Sequence, residues 1–216
     1  MSQVDDLSPR PDDERGTAPA VTTPPAEPPK HLPWIPIRSL APRQRERILA
    51  PIIEMPAHDR YLRFGYAAND AQIGRYVDQI DFDRDEVFGV FDRRLRLIAM
   101  AHLAFAPEQS RHRADAEFGV SVLPHARGRG YGTRLFEHAV LHARNQGVNR
   151  LHVHALSENA AMLHIARAAG ARVEREGSES EAHLLLPPET LASQVEQLVG
   201  DGAAELDYRL KQQALR

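Results

Sequence analysis

Three glycines at alternate positions, Gly128, Gly130 and Gly132, stand among arginines directly before a stretch with helical hydrophobic periodicity. A backbone without Cβ atoms can approach a ligand closely and turn several N–H groups into one concavity, which favours anions. A helix that begins immediately afterwards adds unpaired first-turn N–H groups and the positive end of its dipole, which contributes about 0.3 to 1 kcal/mol. The segment therefore predicts a phosphate-binding loop between a strand and a helix, and Thr133 can add a hydroxyl.

Two common phosphate loops do not fit this segment. A P-loop requires a Gly-Lys-Ser/Thr ending, and the chain has no lysine from residue 31 to residue 210. A dinucleotide fingerprint requires a third glycine where Thr133 stands, and no strand-first βαβ unit with a trailing acidic residue is evident. The pattern that does fit is R-x-x-G-x-G from Arg127 to Gly132, after a predicted strand that ends at Pro124.

Hydrophobic periodicity predicts an α+β fold. The predicted elements are a strand in 32–40, helices in 43–53, 58–67 and 70–80, strands in 86–92, 94–105 and 113–123, a helix in 132–147, a strand in 150–156, a helix in 157–170 and strands in 171–176 and 181–187. Because three strand-like runs follow one another before helix and strand alternate, a central mixed, mostly antiparallel sheet with helices on both faces fits better than a doubly wound fold.

The two ends of the chain differ from this central domain, which is predicted to span residues 31–187. Residues 1–30 are rich in proline and poor in apolar groups, which predicts a disordered tail that is either a docking arm or a solubilising extension. Residues 188–216 predict one or two amphipathic helices, interrupted at residues 200–203, that pack on the domain or on a second copy in a homodimer.

Composition argues against several classes of function. Without cysteine, the chain cannot form disulfides, thiolate metal sites or a cysteine nucleophile. A formal net charge of -3 argues against a nucleic-acid-binding protein. No segment has the roughly 20 apolar residues needed to cross a bilayer, and the N-terminus lacks the apolar centre of a secretory signal. We therefore expect a cytoplasmic protein that does not act at a membrane.

The glycine loop and its surroundings resemble the GNAT acetyltransferases. The stretch VSVLPHARGRGYGTRL is similar to the family's V-x-P-x-x-R-G-x-G-x-G segment. The stretch ENAAMLHIARAAGA is similar to its second helix motif, with Gly170 and Ala171 where Gly-Phe is frequent. The resemblance implies the GNAT fold and acetyl-CoA as co-substrate. The cofactor-binding residues that it implies are Val120, Ser121 and Val122 on the strand, Arg127, Gly128, Arg129, Gly130, Tyr131, Gly132 and Thr133 in the loop, and Asn159 at the second helix.

The same resemblance implies acetyl transfer to a primary amine, on a small molecule or a protein lysine, by direct attack in a ternary complex. Many members use a tyrosine in the second motif as the acid, and Ala166 stands there in this chain. Glu117, DRYLRF and NAAMLHIAR resemble the acetyltransferase domain of bacterial Pat-type protein-lysine acetyltransferases, in which a glutamate at this place is catalytic. Glu117 is therefore the first candidate for the general base, and a solvated strand residue is the alternative.

Further candidates surround this glutamate. A backbone N–H between Gly119 and Val122, in a strand bulge, is the expected oxyanion donor. His102 lies among apolar residues on a neighbouring strand and is either a second catalytic base or a packed side chain. His152 and His154 share a strand face at spacing two, but no third ligand stands nearby in the sequence, so no metal is predicted.

The absent tyrosine leaves a second hypothesis open. A catalytically weak acetyl-CoA-binding regulatory module would keep the fold and lose the reaction. A third hypothesis is an interaction protein whose proline-rich tail and C-terminal helices are the working parts.

Overall fold

The described part of the chain, residues 34–215, forms a seven-stranded sheet in the computed structural model of the protein. Its strands are β1 (Ile37–Ser39), β2 (Glu86–Phe91), β3 (Leu97–Phe105), β4 (Asp115–Val122), β5 (Arg150–Leu156), β6 (Arg172–Glu176) and β7 (Glu179–Leu185). They lie in the order β1-β2-β3-β4-β5-β7-β6, and among these neighbours only β4 and β5 run parallel. The mixed, mostly antiparallel sheet confirms the predicted α+β class. The predicted tail at residues 1–30 lies outside the described residues.

Helices cover both faces of the sheet, as predicted. They are α1 (Arg45–Ile53), α2 (Ala57–Phe64), α3 (Asp70–Asp78), α4 (Tyr131–Asn145), α5 (Ala160–Ala168) and α6 (Leu191–Ala214). Because successive strand side chains point to opposite faces, Phe118 and Val153 pack in one core with α4 and α5, while Val87 and Met100 pack in a second core with α1 and α3. The two cores fix the sheet between the helical layers and leave its centre to form the site.

The C-terminal residues form one continuous helix, which corrects the predicted interruption at residues 200–203. Helix α6 runs through Gly200 and Gly202 without a break. Each glycine costs roughly 1 kcal/mol relative to alanine. Thr190 caps the helix N-terminus, and Tyr208 packs edge-on against a β2 aromatic ring at 5.3 Å between ring centroids. Capping and packing on the sheet offset the glycine penalties, and the homodimer stays a prediction.

Strands β4 and β5 pair over only part of their length. Their parallel register begins with Asp115 opposite Arg150 and ends with Glu117 opposite His152. Beyond that point β4 stays paired with β3 while β5 pairs with β7, so a gap opens between the two parallel strands. The register between β3 and β4 is unbroken across Gly119, so the predicted bulge is not present there.

Candidate active site

The main chain of β4 presents donors and acceptors to this gap. The Leu123 N–H donates to the Ile98 carbonyl, and because antiparallel bonding alternates along a strand, the odd-numbered residues of β4 bond to β3. The even-numbered residues beyond the paired part, Val120 and Val122, therefore turn their N–H and C=O groups toward the gap. Two of the predicted cofactor-binding residues, Val120 and Val122, thus offer main-chain groups in the place of a missing partner strand.

The glycine loop keeps its amides available. Among the described residues, the backbone N–H groups of residues 128–133 have no protein hydrogen-bond partner. Helix α4 begins at Tyr131, so its first N–H groups have no acceptor inside the helix. Gly128 and Gly130 have φ angles of 73° and 78°, in the left-handed region that glycine favours. The loop is therefore a concavity of N–H groups at the positive end of α4, suited to a phosphate.

These amides and β4 line one cavity of about 470 Å³, which we call the loop cavity. The predicted cofactor-binding residues that line it are Val120, Ser121, Val122, Arg127, Gly128, Gly130, Tyr131, Gly132, Thr133 and Asn159. Arg129 is the exception, because it lines a separate surface depression together with Trp34. The structure thus gathers all but one of the predicted residues around one cavity.

Arg127 is held in place by an ion pair that the sequence did not predict. Its Nη2 lies 2.8 Å from Asp59 Oδ2 on α2, and its Nε donates to the Val122 carbonyl at 3.2 Å. Asp59 is buried and also lines the loop cavity. Because this carboxylate balances the charge of Arg127, attraction of a phosphate to the loop depends mainly on the amides and the α4 dipole.

Two polar side chains of the loop cavity differ in their bonding. The Ser121 hydroxyl is buried without a hydrogen-bond partner among the described residues. The Asn159 Oδ1 accepts from the Met162 N–H at 3.2 Å, and its Nδ2 donates to the Leu62 carbonyl at 3.3 Å. Asn159 therefore caps α5 and joins it to α2, and its contact with a cofactor stays a prediction.

A second cavity of about 700 Å³ adjoins the first, and we call it the carboxylate cavity. Five glutamates line it: Glu117, Glu174, Glu176, Glu179 and Glu181. The wall between the two cavities is formed by the residues that line both, which are Leu62, Arg63, Phe118 and His154. The carboxylates outnumber the cations in this lining, so the cavity favours a positively charged ligand. Glu117, the predicted base, is exposed at the end of the paired part of β4.

Arg63 ends a chain of buried hydrogen bonds. A Cβ on Gly119 would lie 2.5 Å from Arg63 Nη2, so only glycine leaves room for this guanidinium against β4. Arg63 donates to the Tyr76 hydroxyl at 2.8 Å, which lies 2.9 Å from His102 Nδ1. His102 Nε2 lies 3.2 Å from Asp85 Oδ2. Both ring nitrogens of His102 are therefore engaged, and the residue lines neither cavity.

Charge and burial determine which group donates and which accepts in this series of hydrogen bonds. Burial alone would raise the pKa of Asp85, but hydrogen bonds from His102 and Arg84 lower it overall, so the carboxylate is ionised. Because Arg63 donates to the Tyr76 hydroxyl, this hydroxyl directs its own proton at His102 Nδ1. His102 Nε2 then donates to Asp85. Burial raises the pKa of Tyr76, and Glu117 raises it further while Arg63 opposes both. Tyr76 therefore stays protonated and positions Arg63.

Asp59, Arg63 and Tyr76 were not predicted from the sequence as site residues. Asp59 and Arg63 stand four residues apart on α2, a spacing that places both on one helix face and was a usable signal. Tyr76 and the glutamates of the β6–β7 hairpin reach the site only through tertiary packing and strand register, for which the sequence carries no local signal.

A sequence model described as the acetyltransferase (GNAT) family matches residues 53–171, more than half of the chain. The chain therefore belongs to the GNAT acetyltransferases, an enzyme family of N-acyltransferases that use acetyl-CoA. No helix within residues 34–215 is long and apolar enough to cross a membrane.

Solved structures share this fold. The GNAT domain of S. lividans PAT is 20% identical, with a TM-score of 0.60 over 74% of this chain and 100% of that chain. A phosphinothricin acetyltransferase from Sinorhizobium meliloti in complex with AcCoA is 15% identical, with a TM-score of 0.58 over 74% of this chain and 92% of that chain. A mutant of a cAMP-binding acyltransferase from Mycobacterium smegmatis is 21% identical, with a TM-score of 0.50 over 79% of this chain and 51% of that chain. At these identities the likeness shows the fold.

Proposed function

We propose that this chain transfers the acetyl group of acetyl-CoA to a primary amine by direct attack in a ternary complex. The observation that carries the proposal is the row of amides at residues 128–133, which have no hydrogen-bond partner among the described residues and lie at the same cavity as the gap-facing main chain of Val120 and Val122. A diphosphate held by the loop would direct the pantetheine chain along β4 and bring the thioester to the wall at Arg63.

The reaction needs a neutral amine, a polarised carbonyl and a place for the released proton. Glu117 takes the proton of the incoming ammonium, and the amine nitrogen then attacks the thioester carbon. The Val120 N–H faces the gap and stabilises the oxyanion of the tetrahedral intermediate. The carbon–sulfur bond breaks as the attacking nitrogen loses its second proton to solvent, and the CoA thiolate leaves and takes up a proton from solvent. His102 acts through Tyr76 and Arg63 as a positioning residue.

The carboxylate cavity indicates a cationic acceptor. Its glutamates attract an ammonium group, which both a small polyamine-like molecule and a protein lysine carry. The resemblance of Glu117 and its surroundings to Pat-type domains favours a protein lysine. We retain a cytoplasmic location, the absence of nucleic-acid and membrane partners and a homodimer as further parts of this proposal.

The regulatory alternative depends on Ala166. This residue is fully buried in the core with α4 and α5, so no hydroxyl at this position can protonate the leaving thiolate. A module that binds acetyl-CoA and turns over slowly would have the same loop cavity.

Calorimetry followed by an acceptor screen separates the two proposals. We expect acetyl-CoA to bind with one site per chain, and acetylated product to accumulate on at least one amine or lysine peptide when the reaction is followed by mass spectrometry. Binding without turnover on any amine would favour the regulatory module. Absence of binding would contradict both.

A further inference from the structure

Two histidines and a glutamate converge on the sheet face beside the carboxylate cavity. His152 and His154 point to the same face of β5, and Glu181 on β7 stands directly opposite His154 in the antiparallel register. One ligand atom from each of the three residues lies within 4.8 Å of the others. Strand pairing therefore supplies the third ligand that is missing from the neighbouring sequence.

The distances between donor atoms suit a small cation. Glu181 Oε1 lies 3.1 Å from His152 Nδ1 and 3.7 Å from His154 Nε2. Ligands at 2.0 to 2.2 Å from a tetrahedral zinc ion are separated from one another by roughly 3.3 Å. The donors of the two histidines also lie within 4.8 Å of each other, so the three side chains are close enough to approach one ion.

His152 has the second contact that metal-binding histidines usually have. Its Nε2 lies 3.1 Å from Asp115 Oδ2, so a carboxylate faces each ring nitrogen. A neutral imidazole carries only one N–H. When that N–H donates from Nε2 to Asp115, the Nδ1 lone pair faces Glu181 Oε1, and a cation between these two atoms can bind both. A carboxylate that fixes the tautomer in this way is typical of the surroundings of a bound metal.

The second carboxylate oxygen of Glu181 lies near a third histidine. His183 Nε2 lies 3.5 Å from Glu181 Oε2, while His183 Nδ1 is buried without a hydrogen-bond partner among the described residues. The two carboxylate oxygens of Glu181 therefore lie among three histidines.

We propose that His152, His154 and Glu181 bind one divalent transition-metal ion. Two imidazoles and one carboxylate, without sulfur, are a ligand set that suits zinc and disfavours calcium and magnesium, which prefer oxygen alone. His154 and Glu181 line the carboxylate cavity, so the fourth coordination position is open to this cavity.

Zinc at this site changes the charge of the cavity. The ion neutralises Glu181 and adds positive charge where a cationic acceptor would bind. Zinc is therefore expected to raise the KM for the amine, and to change the affinity for acetyl-CoA less, because His154 is the one of the three ligands that also lines the loop cavity. This consequence alone rests on the proposed acetyl transfer.

Zinc binding itself is measured without any substrate. Calorimetry of the full chain, purified without a histidine tag and treated with a chelator, should show one ion bound per chain. Zinc at about 100 times its dissociation constant should raise the midpoint of thermal unfolding by about 5 to 10 °C. Cobalt in place of zinc should give the intense visible absorption of a four-coordinate ion.

Variants locate the ion. His154→Gln and Glu181→Gln should each weaken zinc binding by at least tenfold. His125→Gln removes an exposed imidazole elsewhere and should leave binding unchanged. Circular dichroism checks that each variant is folded. The proposal is overturned if 100 μM zinc gives no saturable binding, or if His154→Gln and Glu181→Gln bind zinc as the unaltered chain does. Retained zinc binding in a chain without acetyl transfer would contradict the proposed function and leave the metal site intact.

Discussion

The loop cavity and the carboxylate cavity meet at Arg63 and His154, yet they present different atoms to a ligand. The loop cavity offers main-chain N–H groups from residues 128–133 and from Val120 and Val122 of β4. The carboxylate cavity offers side chains from β4 and from the β6–β7 hairpin. Main-chain donors persist through most substitutions, whereas carboxylates can be exchanged one at a time.

This difference suits a reaction with one constant and one variable substrate. A backbone cradle recognises a phosphate whatever its neighbouring side chains are, which fits a common acyl donor. A cavity built from side chains at the ends of separate strands can change its preference without changing the fold. Substitutions should therefore separate donor binding from acceptor chemistry, and the following experiments test that separation.

The largest expected effect is on the rate of the chemical step alone. Replacing Glu117 with Gln removes the proposed base, so kcat should fall by roughly 10²- to 10⁴-fold. The Kd for acetyl-CoA should not change, because Glu117 does not line the loop cavity. Steady-state kinetics and calorimetry measure the two quantities. Glu196→Gln removes an exposed carboxylate on α6 and is the matched control. A kcat close to that of the unaltered chain would exclude Glu117 as the base.

The second experiment weakens only the binding of acetyl-CoA. Gly130→Val places a β-branched side chain at a φ of 78° inside the loop, and the Kd for acetyl-CoA should rise by about 100-fold. Gly147→Val introduces a comparable strain at a φ of 77° after α4, away from both cavities. The control should lower stability without changing the Kd. Equal losses of affinity in both variants would mean that strain, and not the loop, explains the effect.

The sequence predicted the loop cavity far better than the carboxylate cavity. Arg127 to Thr133 are contiguous, and a strand followed by glycines and a helix start is a local pattern. The helices and strands of the central domain were predicted for the same reason, because hydrophobic periodicity is local. Arg129 shows the limit of that reasoning, since position in a motif does not fix where a long side chain points.

Features that depend on strand register or tertiary packing were not predictable. Glu181 meets His154 only because β5 pairs with β7 in one register. His102 contacts Tyr76 and lines neither cavity, and Tyr76 reaches it from α3, which packs in the second core. Helix α6 continues through Gly200 because its packing offsets a local preference to break.

Two buried histidines on α4 make the stability of the fold depend on pH. This limits the pH range in which the two cavities can be compared. Burial lowers the pKa values of His138 and His142 on α4 to about 4, from an ordinary value of 6.5. The unfolded chain therefore takes up these protons first. The stability contribution is complete above pH 6.5 and is lost as the pH falls toward 4, by about 2 kcal/mol per histidine at pH 5. Burial raises the pKa values of Glu86 and Asp201, which face these histidines, and this offsets part of the loss.

Urea unfolding at pH 7.5 and pH 5 measures this effect. The free energy of unfolding should be lower at pH 5, and His142→Gln should reduce the difference between the two values. An equal free energy of unfolding at both pH values would show that burial does not keep the two histidines neutral in the folded state.

A smaller effect is expected from the hydrogen-bond chain behind Arg63. His102→Gln should lower kcat by less than about tenfold, because His102 positions Tyr76 and does not contact the acceptor. The pH dependence of kcat should keep its shape, since the proposed base is still Glu117. A loss as large as that of Glu117→Gln, in a variant that remains folded, would restore His102 as a catalytic base.

The smallest effect should come from the exposed carboxylates that β6 contributes to the carboxylate cavity. Glu174→Gln combined with Glu176→Gln removes two exposed charges, and each exposed charge contributes at most about 1 kcal/mol. The KM for a cationic amine should therefore rise severalfold, more at low salt than at high salt, because screening already weakens these charges. Glu196→Gln again serves as the control for a charge lost elsewhere. If the Kd for acetyl-CoA changed as much as the KM for the amine, the two cavities would not be separate recognition sites, and the contrast between backbone and side-chain recognition would fail.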